Sequence, residues 1–261
     1  MMALVTHILL VGTVAVCGLM LLLWLIHLSL RNASIVDPGW AGGLVLLAAI
    51  DATMGGGYRV RALWIAAMAA LWGLRLALYL LSRVLGHPEE GRYVQLRREW
   101  GGNLPLKFLL FFQLQALLCV LLSLPFLLVS INRNPHLSML EFVASGLWLV
   151  AWIGESAADF QLQRFKSNPA NRGTICRVGL WKYSRHPNYF FEWLIWAAFA
   201  LFALASPFGY LALIAPMLML YFLFRVTGIP ATEEQAIRSK GEAYRQYQQT
   251  TSAFVPWFPR S

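Results

Sequence analysis

The sequence predicts an all-α membrane protein built as a bundle of seven transmembrane helices. Hydrophobic residues make up 59% of the 261-residue chain and charged residues only 13%, about half of the share that a soluble globular domain carries. The stretch from Ala3 to Leu30 contains no Asp, Glu, Lys or Arg, and its 28 residues exceed the roughly 20 needed to cross a bilayer. Similar apolar stretches recur along the chain, which excludes a disordered protein.

The first stretch lacks a basic N-terminal region and a small-residue cleavage site, so we predict a retained helix and not a signal peptide. The uncharged run 193–224 is too long for one ordinary span, and Ser206-Pro207-Phe208-Gly209 has the composition of a turn, which predicts a tight helical hairpin. We predict one domain over residues 1–261 with a cytoplasmic tail helix at about 232–249. The predicted spans lie at about 3–30, 38–55, 62–83, 108–131, 139–162, 189–205 and 208–224.

Basic residues are distributed unevenly between the two sides of the predicted bundle. Seventeen of the 21 Lys and Arg residues fall on one side when Arg83 is counted with the loop that it borders. Arg59, Arg61 and Arg133 fall on the other side, and Arg75 lies within a span. The positive-inside rule therefore predicts that the N-terminus is outside and the C-terminus is cytoplasmic. The orientation of the predicted spans accounts for most of the net charge of +9. No basic stretch is typical of a nucleic-acid-binding module.

Several ionisable side chains fall inside the predicted spans, where such groups are costly and are therefore candidate functional residues. Helical spacing places each set on one face of its span. The alternative interpretations are structural: an aromatic packing stripe with Arg83 reaching the interface, or pairing between helices, for example of Asp159 with Arg75. The sets are Trp72, Arg75, Tyr79 and Arg83 on span three, Glu155, Asp159, Gln163 and Lys166 on span five, and Asn188 and Glu192 on span six.

Two proline-containing motifs open spans at the cytoplasmic surface. Asp37-Pro38-Gly39-Trp40 opens span two, where Asp and Pro suit a helix start; a carboxyl group at the mouth of an apolar bundle is also a candidate proton donor. Arg185-His186-Pro187 opens span six, and a helix N-terminus beside an arginine favours an anion. Thr232 with Gln235 predicts a capping box at the start of the tail helix.

Other residues suggest no chemistry of their own. Asp51 and Glu141, near the outer ends of their spans, are interpreted as structural or interfacial carboxylates. The cysteines Cys17, Cys119 and Cys176 form no CxxC pair, so neither a disulfide nor a metal site is predicted. The sequence contains no dinucleotide-binding GxGxxG after a strand, no P-loop and no HExxH motif, so helix ends and loops of the bundle would have to hold any nucleotide.

Together these motifs resemble the steroid 5-alpha-reductase family of membrane enzymes, in its small bacterial branch. The strongest resemblance runs from Asp159 to Trp193 and includes Arg185-His186-Pro187-Asn188-Tyr189 followed by Glu192. That segment is shared by a broad superfamily, whereas the stretches around Asp37 and Arg75 narrow the resemblance to its reductases. Further resembling stretches are Ser34–Trp40, Leu71–Leu76, Gly91–Tyr93, Gly228–Pro230, Glu233-Glu234 and Tyr244-x-x-Tyr247.

The resemblance implies an enzyme of the bacterial inner membrane that binds NADPH from the cytosolic side. It would reduce the carbon–carbon double bond of a lipophilic, 3-oxo-4-ene steroid-like enone entering from the bilayer. Hydride would pass to the beta carbon while an acid polarises the carbonyl oxygen. Asp37 lies near the position of the family's catalytic Glu, with Tyr58 or Tyr79 as its expected partner. The residues expected to bind the cofactor are Trp40, Arg75, Arg83, Arg92, Tyr93, Asp159, Arg164, Lys166, Arg172, Tyr183, Arg185, His186, Asn188, Tyr189, Glu192, Glu233 and Glu234.

Two other functions remain open at this point. A methyltransferase resembling isoprenylcysteine carboxyl methyltransferase shares the Arg-His-Pro-x-Tyr segment and the C-terminal Glu/Tyr pattern. It uses S-adenosylmethionine, which carries no phosphate and does not need so many basic residues. A non-enzymatic scaffold or transporter is the third hypothesis; deep ionisable residues argue against a scaffold, and the lack of internal repeats argues against a repeat-built transporter.

Overall fold

The computed structural model describes residues 2–226 and 228–259. Within those residues the chain is helical without strands, and the backbones of Ser184 and Ser252 form one isolated parallel bridge. The chain divides into two compact units where the sequence predicts a single domain. The first consists of Met1–Glu141 with Phe202–Ala215, and the second of Phe142–Leu201 with Pro216–Ser261.

The first unit contains six helices, and three of them match predicted spans one to three within three residues at each end. The predicted span 108–131 is instead two helices. Ser123 ends the first of them, and Pro125 occupies the first turn of the second, where its missing N–H costs no hydrogen bond. The six helices are α1 (Met2–Leu30), α2 (Val36–Met54), α3 (Arg59–Val84), α4 (Gly91–Trp100), α5 (Leu104–Leu122) and α6 (Leu124–Ser130).

Helix α2 packs chiefly against α3, and a glycine allows the two backbones to approach closely. A Cβ atom on Gly73 would lie 2.5 Å from Val45 Cγ2 and 3.2 Å from the carbonyl oxygen of Ala41. The neighbouring Trp72 is fully buried and meets Trp40 edge to face at 6.1 Å between ring centroids. The Trp-Gly pair of α3 therefore has a packing role against the first half of α2.

The turn between α2 and α3 is fixed to the chain that follows α6. Gly57 N donates to Ser130 O at 2.9 Å, and Tyr58 N donates to Asn132 O at 2.7 Å. A Cβ atom on Gly55 would lie 2.4 Å from Ser130 O, so only glycine fits there. These bonds hold the end of the first unit that is remote from Asp37.

The second unit is built mainly from five further helices. The predicted tail helix is interrupted because Gly241, with φ +57°, takes a conformation that helical residues do not adopt. Its first part begins at Ile229 with Pro230 in the first turn, so Thr232 lies inside the helix and does not cap it. The helices are α7 (Met139–Ser167), α8 (Pro187–Ala203), α9 (Ile214–Tyr221), α10 (Ile229–Lys240) and α11 (Glu242–Thr250); a π-helical turn, Phe222–Val226, follows α9.

By length and composition, five helical stretches among the described residues could cross a membrane. Such stretches are typical of an integral membrane protein that contacts the bilayer. Helix α7 carries Glu155 and Asp159, and α8 has only 17 residues, so both fall outside this set. The total of seven spans and the orientation of the termini remain predictions. The five stretches are Met2–Leu30, Ala33–Met54, Arg59–Val84, Leu104–Leu122 and Gly209–Lys240.

Candidate functional site

A hydrogen-bonded carboxylate and phenol lie at the N-terminal end of α2. Asp37 is in the first turn of α2, and Tyr93 is in the first turn of α4. The Tyr93 hydroxyl donates to Asp37 Oδ1 at 2.7 Å, and Arg92 Nη2 donates to Asp37 Oδ2. The Tyr93 residue is 2% exposed and the Asp37 side chain 17% exposed. Protein donors thus hold both oxygens of the carboxylate.

The surroundings of Tyr93 keep its hydroxyl group protonated. Burial raises the pKa of Tyr93 well above its ordinary value of 10.0, and the neighbouring Asp37 carboxylate raises it further, while Arg92 opposes the shift. Both causes disfavour the negatively charged phenolate. At neutral pH Tyr93 is therefore a hydrogen-bond donor in a largely apolar environment.

Helix α4 is held against the start of α2 by a loop that carries two glutamates. Glu89 Oε1 accepts the backbone N–H of Ala33 at 2.6 Å. Arg97 of α4 binds Glu89 with two hydrogen bonds, of 2.7 and 2.9 Å, the two-pronged geometry that gives arginine–carboxylate pairs their directional strength. Glu90 N donates to Ser34 Oγ at 2.9 Å. These contacts fix the helix that carries the phenol.

The phenol that binds Asp37 is not one of the two tyrosines predicted as its partner. Tyr58 precedes α3 at the far end of α2, about 25 Å from Asp37 at the rise of an α-helix, so it cannot be the partner. Tyr79 lies beside Arg83, whose guanidinium carbon is 5.7 Å from its ring centroid. Asp37 takes its phenolic hydrogen bond from Tyr93, which the sequence resemblance assigns to cofactor binding.

Two of the basic residues predicted to bind the cofactor from the first unit, Arg83 and Arg92, have acidic neighbours. Arg83 Nη2 lies 2.7 Å from Glu90 Oε1. Arg92 binds Asp37, and its Nε lies 3.6 Å from Glu90 Oε2. Arg75 is half-buried on α3, and Trp40 is half-buried on α2. In this structure Arg83 and Arg92 therefore form ion pairs with Glu90 and Asp37 and help to hold the first unit together near Asp37.

In the second unit, Arg185 connects the residues before α8 to the chain that ends α11. Its Nε donates to Glu233 Oε1 at 2.6 Å, and its Nη1 donates to the carbonyl oxygens of Thr251 and Gln248 at 2.6 and 2.9 Å. The Arg185 and Glu233 side chains are 10% and 13% exposed. This predicted anion ligand thus has a structural role that the sequence did not indicate.

His186, beside Arg185, joins the same contacts. Its Nε2 lies 3.2 Å from Glu233 Oε1, and its ring stacks on Tyr189 at 5.3 Å between centroids. The Tyr189 hydroxyl lies 3.2 Å from Thr232 Oγ1. The start of α8 is therefore tied to α10 by both rings.

Helices α7 and α8 carry buried carboxylates. Asp159, Glu155 and Glu192 are 5%, 3% and 9% exposed. Asn188 Nδ2 approaches Asp159 Oδ1 at 3.5 Å, and Trp196 Nε1 donates to Glu192 Oε1 at 2.9 Å. The contact between Asn188 and Asp159 thus joins two of the predicted residues across α7 and α8.

The remaining predicted residues lie at the surface of the second unit. Arg164, Lys166 and Arg172 are exposed, and Tyr183 is half-buried. In the described part of the chain, Arg164 and Arg172 form no ion pair. Glu234 makes an exposed pair with Arg238 at 2.5 Å within α10. The free guanidinium groups of Arg164 and Arg172 are available to an anionic ligand.

The sequence did not reveal a buried ion pair at the other end of the first unit. Arg61 Nε lies 2.5 Å from Glu141 Oε1, and the two side chains are 1% and 0% exposed. Glu141 is therefore not the interfacial carboxylate that its position in the sequence predicts. Asp51, predicted to be structural or interfacial, is 4% exposed. Only the opposite charges of Arg61 and Glu141 hinted at their pairing, since 80 residues separate them.

Comparison with curated proteins and with solved structures finds no match. Across residues 2–226 and 228–259, no group of three or more His, Cys, Asp or Glu side chains is arranged to hold a metal ion. The model of one protein family, described as "Protein of unknown function (DUF1295)", matches residues 23–251, which is most of the chain. The chain belongs to the DUF1295 family.

Proposed function

We propose that the chain is a membrane enzyme that uses NADPH to reduce the carbon–carbon double bond of a lipophilic enone. The observation that carries this proposal is the hydrogen bond between Tyr93 and Asp37 at the end of an apolar helix. It supplies the acid that the resemblance to steroid 5-alpha-reductases requires, and the DUF1295 family is related to such proteins. The substrate class is a 3-oxo-4-ene steroid-like compound.

Tyr93 is the group that polarises the substrate carbonyl. When hydride adds to the beta carbon of an enone, negative charge develops on the carbonyl oxygen, and a donor aimed at that oxygen stabilises the transition state. A substrate carbonyl that replaces Asp37 as acceptor receives the Tyr93 O–H bond. Before the substrate binds, Asp37, held by Arg92, keeps the phenol oriented. A proton taken from water then completes the product at the alpha carbon, so that the hydride and the proton together saturate the double bond.

The second unit supplies groups that fit a phosphorylated dinucleotide. NADPH supplies the hydride when it is bound. Arg164 and Arg172 offer guanidinium groups that pair with no carboxylate among the described residues, and such groups suit phosphate oxygens. Asp159, Asn188 and Glu192 offer acceptors and an amide that suit ribose hydroxyls and a carboxamide. Arg185 and His186 both bind Glu233 and so hold the start of α8 to α10.

We also propose the seven-span topology with the C-terminus and the cofactor residues on the cytoplasmic side. Six predicted spans overlap one helix or the pair α5 and α6, and the seventh, 208–224, covers a 3-10 helical turn, α9 and most of the π-helical turn. In addition, 17 of the 21 basic residues fall on one side of the predicted bundle. Reporter fusions at Arg133 and at Gln249 test it, because an enzyme active only in the periplasm should be active at the first site alone. The reverse pattern would overturn the orientation.

Ligand titration tests the cofactor. Detergent-purified protein is heated with NADPH, NADH or S-adenosylmethionine, and a ligand at 100 times its Kd should stabilise the folded state by about 2.7 kcal/mol. We expect NADPH to stabilise it most. Stabilisation by S-adenosylmethionine and none by NADPH would instead establish the methyltransferase hypothesis.

A pair of tyrosine variants tests the acid. Tyr93→Phe removes the donor and should lower turnover of a steroid enone roughly 100-fold or more, with NADPH stabilisation unchanged. Tyr58→Phe is the matched control, because Tyr58 lies at the other end of α2. Equal losses in the two variants would show that the phenol of Tyr93 has no chemical role.

A further inference from the structure

The last described residues of the second unit form a strap, Ser252–Phe258, that runs along the residues preceding α8. Arg185 N donates to Ser252 O at 2.8 Å, and Trp257 N donates to Tyr183 O at 2.9 Å. Between these two bonds, Ser184 Oγ donates to Phe254 O at 2.8 Å. The backbone of the strap is therefore fixed at both ends and in the middle.

The strap has one apolar side chain turned inward and three exposed. Phe254 is 8% exposed, and its ring centroid lies 5.5 Å from that of Phe190. Val255, Trp257 and Phe258 are 52%, 69% and 74% exposed. Because backbone hydrogen bonds hold the segment, the exposed side chains form a fixed apolar surface and not a disordered tail. Proteins keep such a surface exposed to water only at some cost.

The position of this surface, next to the start of α8, indicates what covers it. Trp257 is bonded to Tyr183, four residues before Pro187, where α8 begins. On the proposed topology that level is the boundary between the bilayer and the cytoplasm. Trp is enriched at this boundary because its ring is apolar and its N–H is polar. Lys182, next to Tyr183 in the chain, is exposed and suits anionic headgroups.

We propose that the strap is a membrane anchor whose Val255, Trp257 and Phe258 side chains insert into the headgroup region of the cytoplasmic leaflet. The occupant of this surface is the lipid bilayer. The proposal rests on the span assigned to α8. If the strap is anchored, the bilayer also stabilises the start of α8, because Arg185 is hydrogen-bonded to Ser252 of the strap.

An environment-sensitive label tests the anchor in the full-length protein. Cys17 is replaced by Ser, the buried Cys119 and Cys176 are kept, and one cysteine is introduced at a time and labelled with the NBD fluorophore. The protein is placed in nanodiscs with or without dibrominated phospholipid. Trp257→Cys tests the strap, with Phe258→Cys as a second site should the first variant not fold. Gln246→Cys, an exposed position of α11, is the aqueous control; Gln249 is avoided because it lines the same cavity as Trp257 and Phe258.

Met217→Cys is the membrane control, since Met217 is 68% exposed on α9 within an apolar stretch that could cross a membrane. We expect brominated lipid to quench the label at the strap at least twofold more than at Gln246. Strap labels quenched no more than the label at Gln246, with Met217 strongly quenched, would overturn the anchor alone. If Met217 were not quenched either, the membrane assignment would fail and the anchor with it.

Discussion

The ion pair between Arg61 and Glu141 should contribute more to the stability of the first unit than any exposed charge. The Arg61 guanidinium donates to Glu141 Oε1 at 2.5 Å, to His136 O at 2.6 Å and to Asn134 O. Glu141 Oε2 accepts the backbone N–H of Ser138 at 2.6 Å. The pair thus fastens the chain before α7 to the first turn of α3.

Replacing Glu141 by Ala leaves a buried guanidinium without its counter-charge and a backbone N–H without its acceptor. Breaking a buried ion pair from one side costs about 3–5 kcal/mol. At roughly 2–4 °C per kcal/mol for a chain of this size, we expect the midpoint of thermal unfolding to fall by about 6–20 °C. The double variant Arg61→Met with Glu141→Leu removes both charges and should recover much of this loss.

The assay is thermal unfolding of the purified protein in one detergent, with a matched control. Arg59→Ala removes an exposed arginine two residues away, which should cost almost nothing because exposed charges contribute little. If Arg61→Ala were no more destabilising than Arg59→Ala, the pair would not support the fold. If Arg61→Met with Glu141→Leu lost the sum of the stabilities lost in the single variants Arg61→Met and Glu141→Leu, the two charges would not be coupled.

Three further outcomes are expected. Arg97→Ala should speed amide hydrogen exchange of α4, because it removes both bonds to Glu89, whereas the adjacent, exposed Arg98→Ala should not; equal exchange would contradict the role of Arg97. Arg172→Ala should weaken NADPH binding in the thermal titration without changing stability in its absence; unchanged binding would remove Arg172 from the cofactor site. The raised pKa of Tyr93 should make stability fall as pH rises above about 10, and Tyr93→Phe should reduce that fall; identical pH profiles for the two proteins would contradict it.

Helices α1, α2 and α3 could be predicted from the sequence because each carries mainly apolar side chains over a length that spans a bilayer. The predicted start of α3 was late by three residues, at 62 where the helix begins at Arg59. The charge of Arg61 predicts that this residue lies in a loop, but Glu141 neutralises the charge and allows Arg61 to be buried in the helix. A hydropathy value includes the charge of Arg61 but contains no information about the ion pair that neutralises it.

Breaks within apolar segments were harder to predict. No charge marks the boundary between α5 and α6, so the run 108–131 reads as one span. Only Pro125 gave a signal, and proline is compatible with both a kink and a new helix start. Gly241 likewise divides the polar tail helix, and its positive φ follows from the turn that the chain makes there, which residue periodicity does not encode.

The candidate acid shows most clearly why helical spacing could not complete the site. Spacing relates residues on one helix, whereas Asp37 and Tyr93 lie 56 residues apart on helices joined through a loop. The family resemblance offers Tyr58 and Tyr79 as partners, but a helix of 19 residues carries Tyr58 about 25 Å from Asp37. The phenol that binds Asp37 comes instead from α4. The polar composition of α4 gives no hydropathy signal, and its position depends on Glu89 and Arg97. The residues that position the proposed acid are thus Glu89 and Arg97, charged residues that hydropathy assigns to a solvated loop.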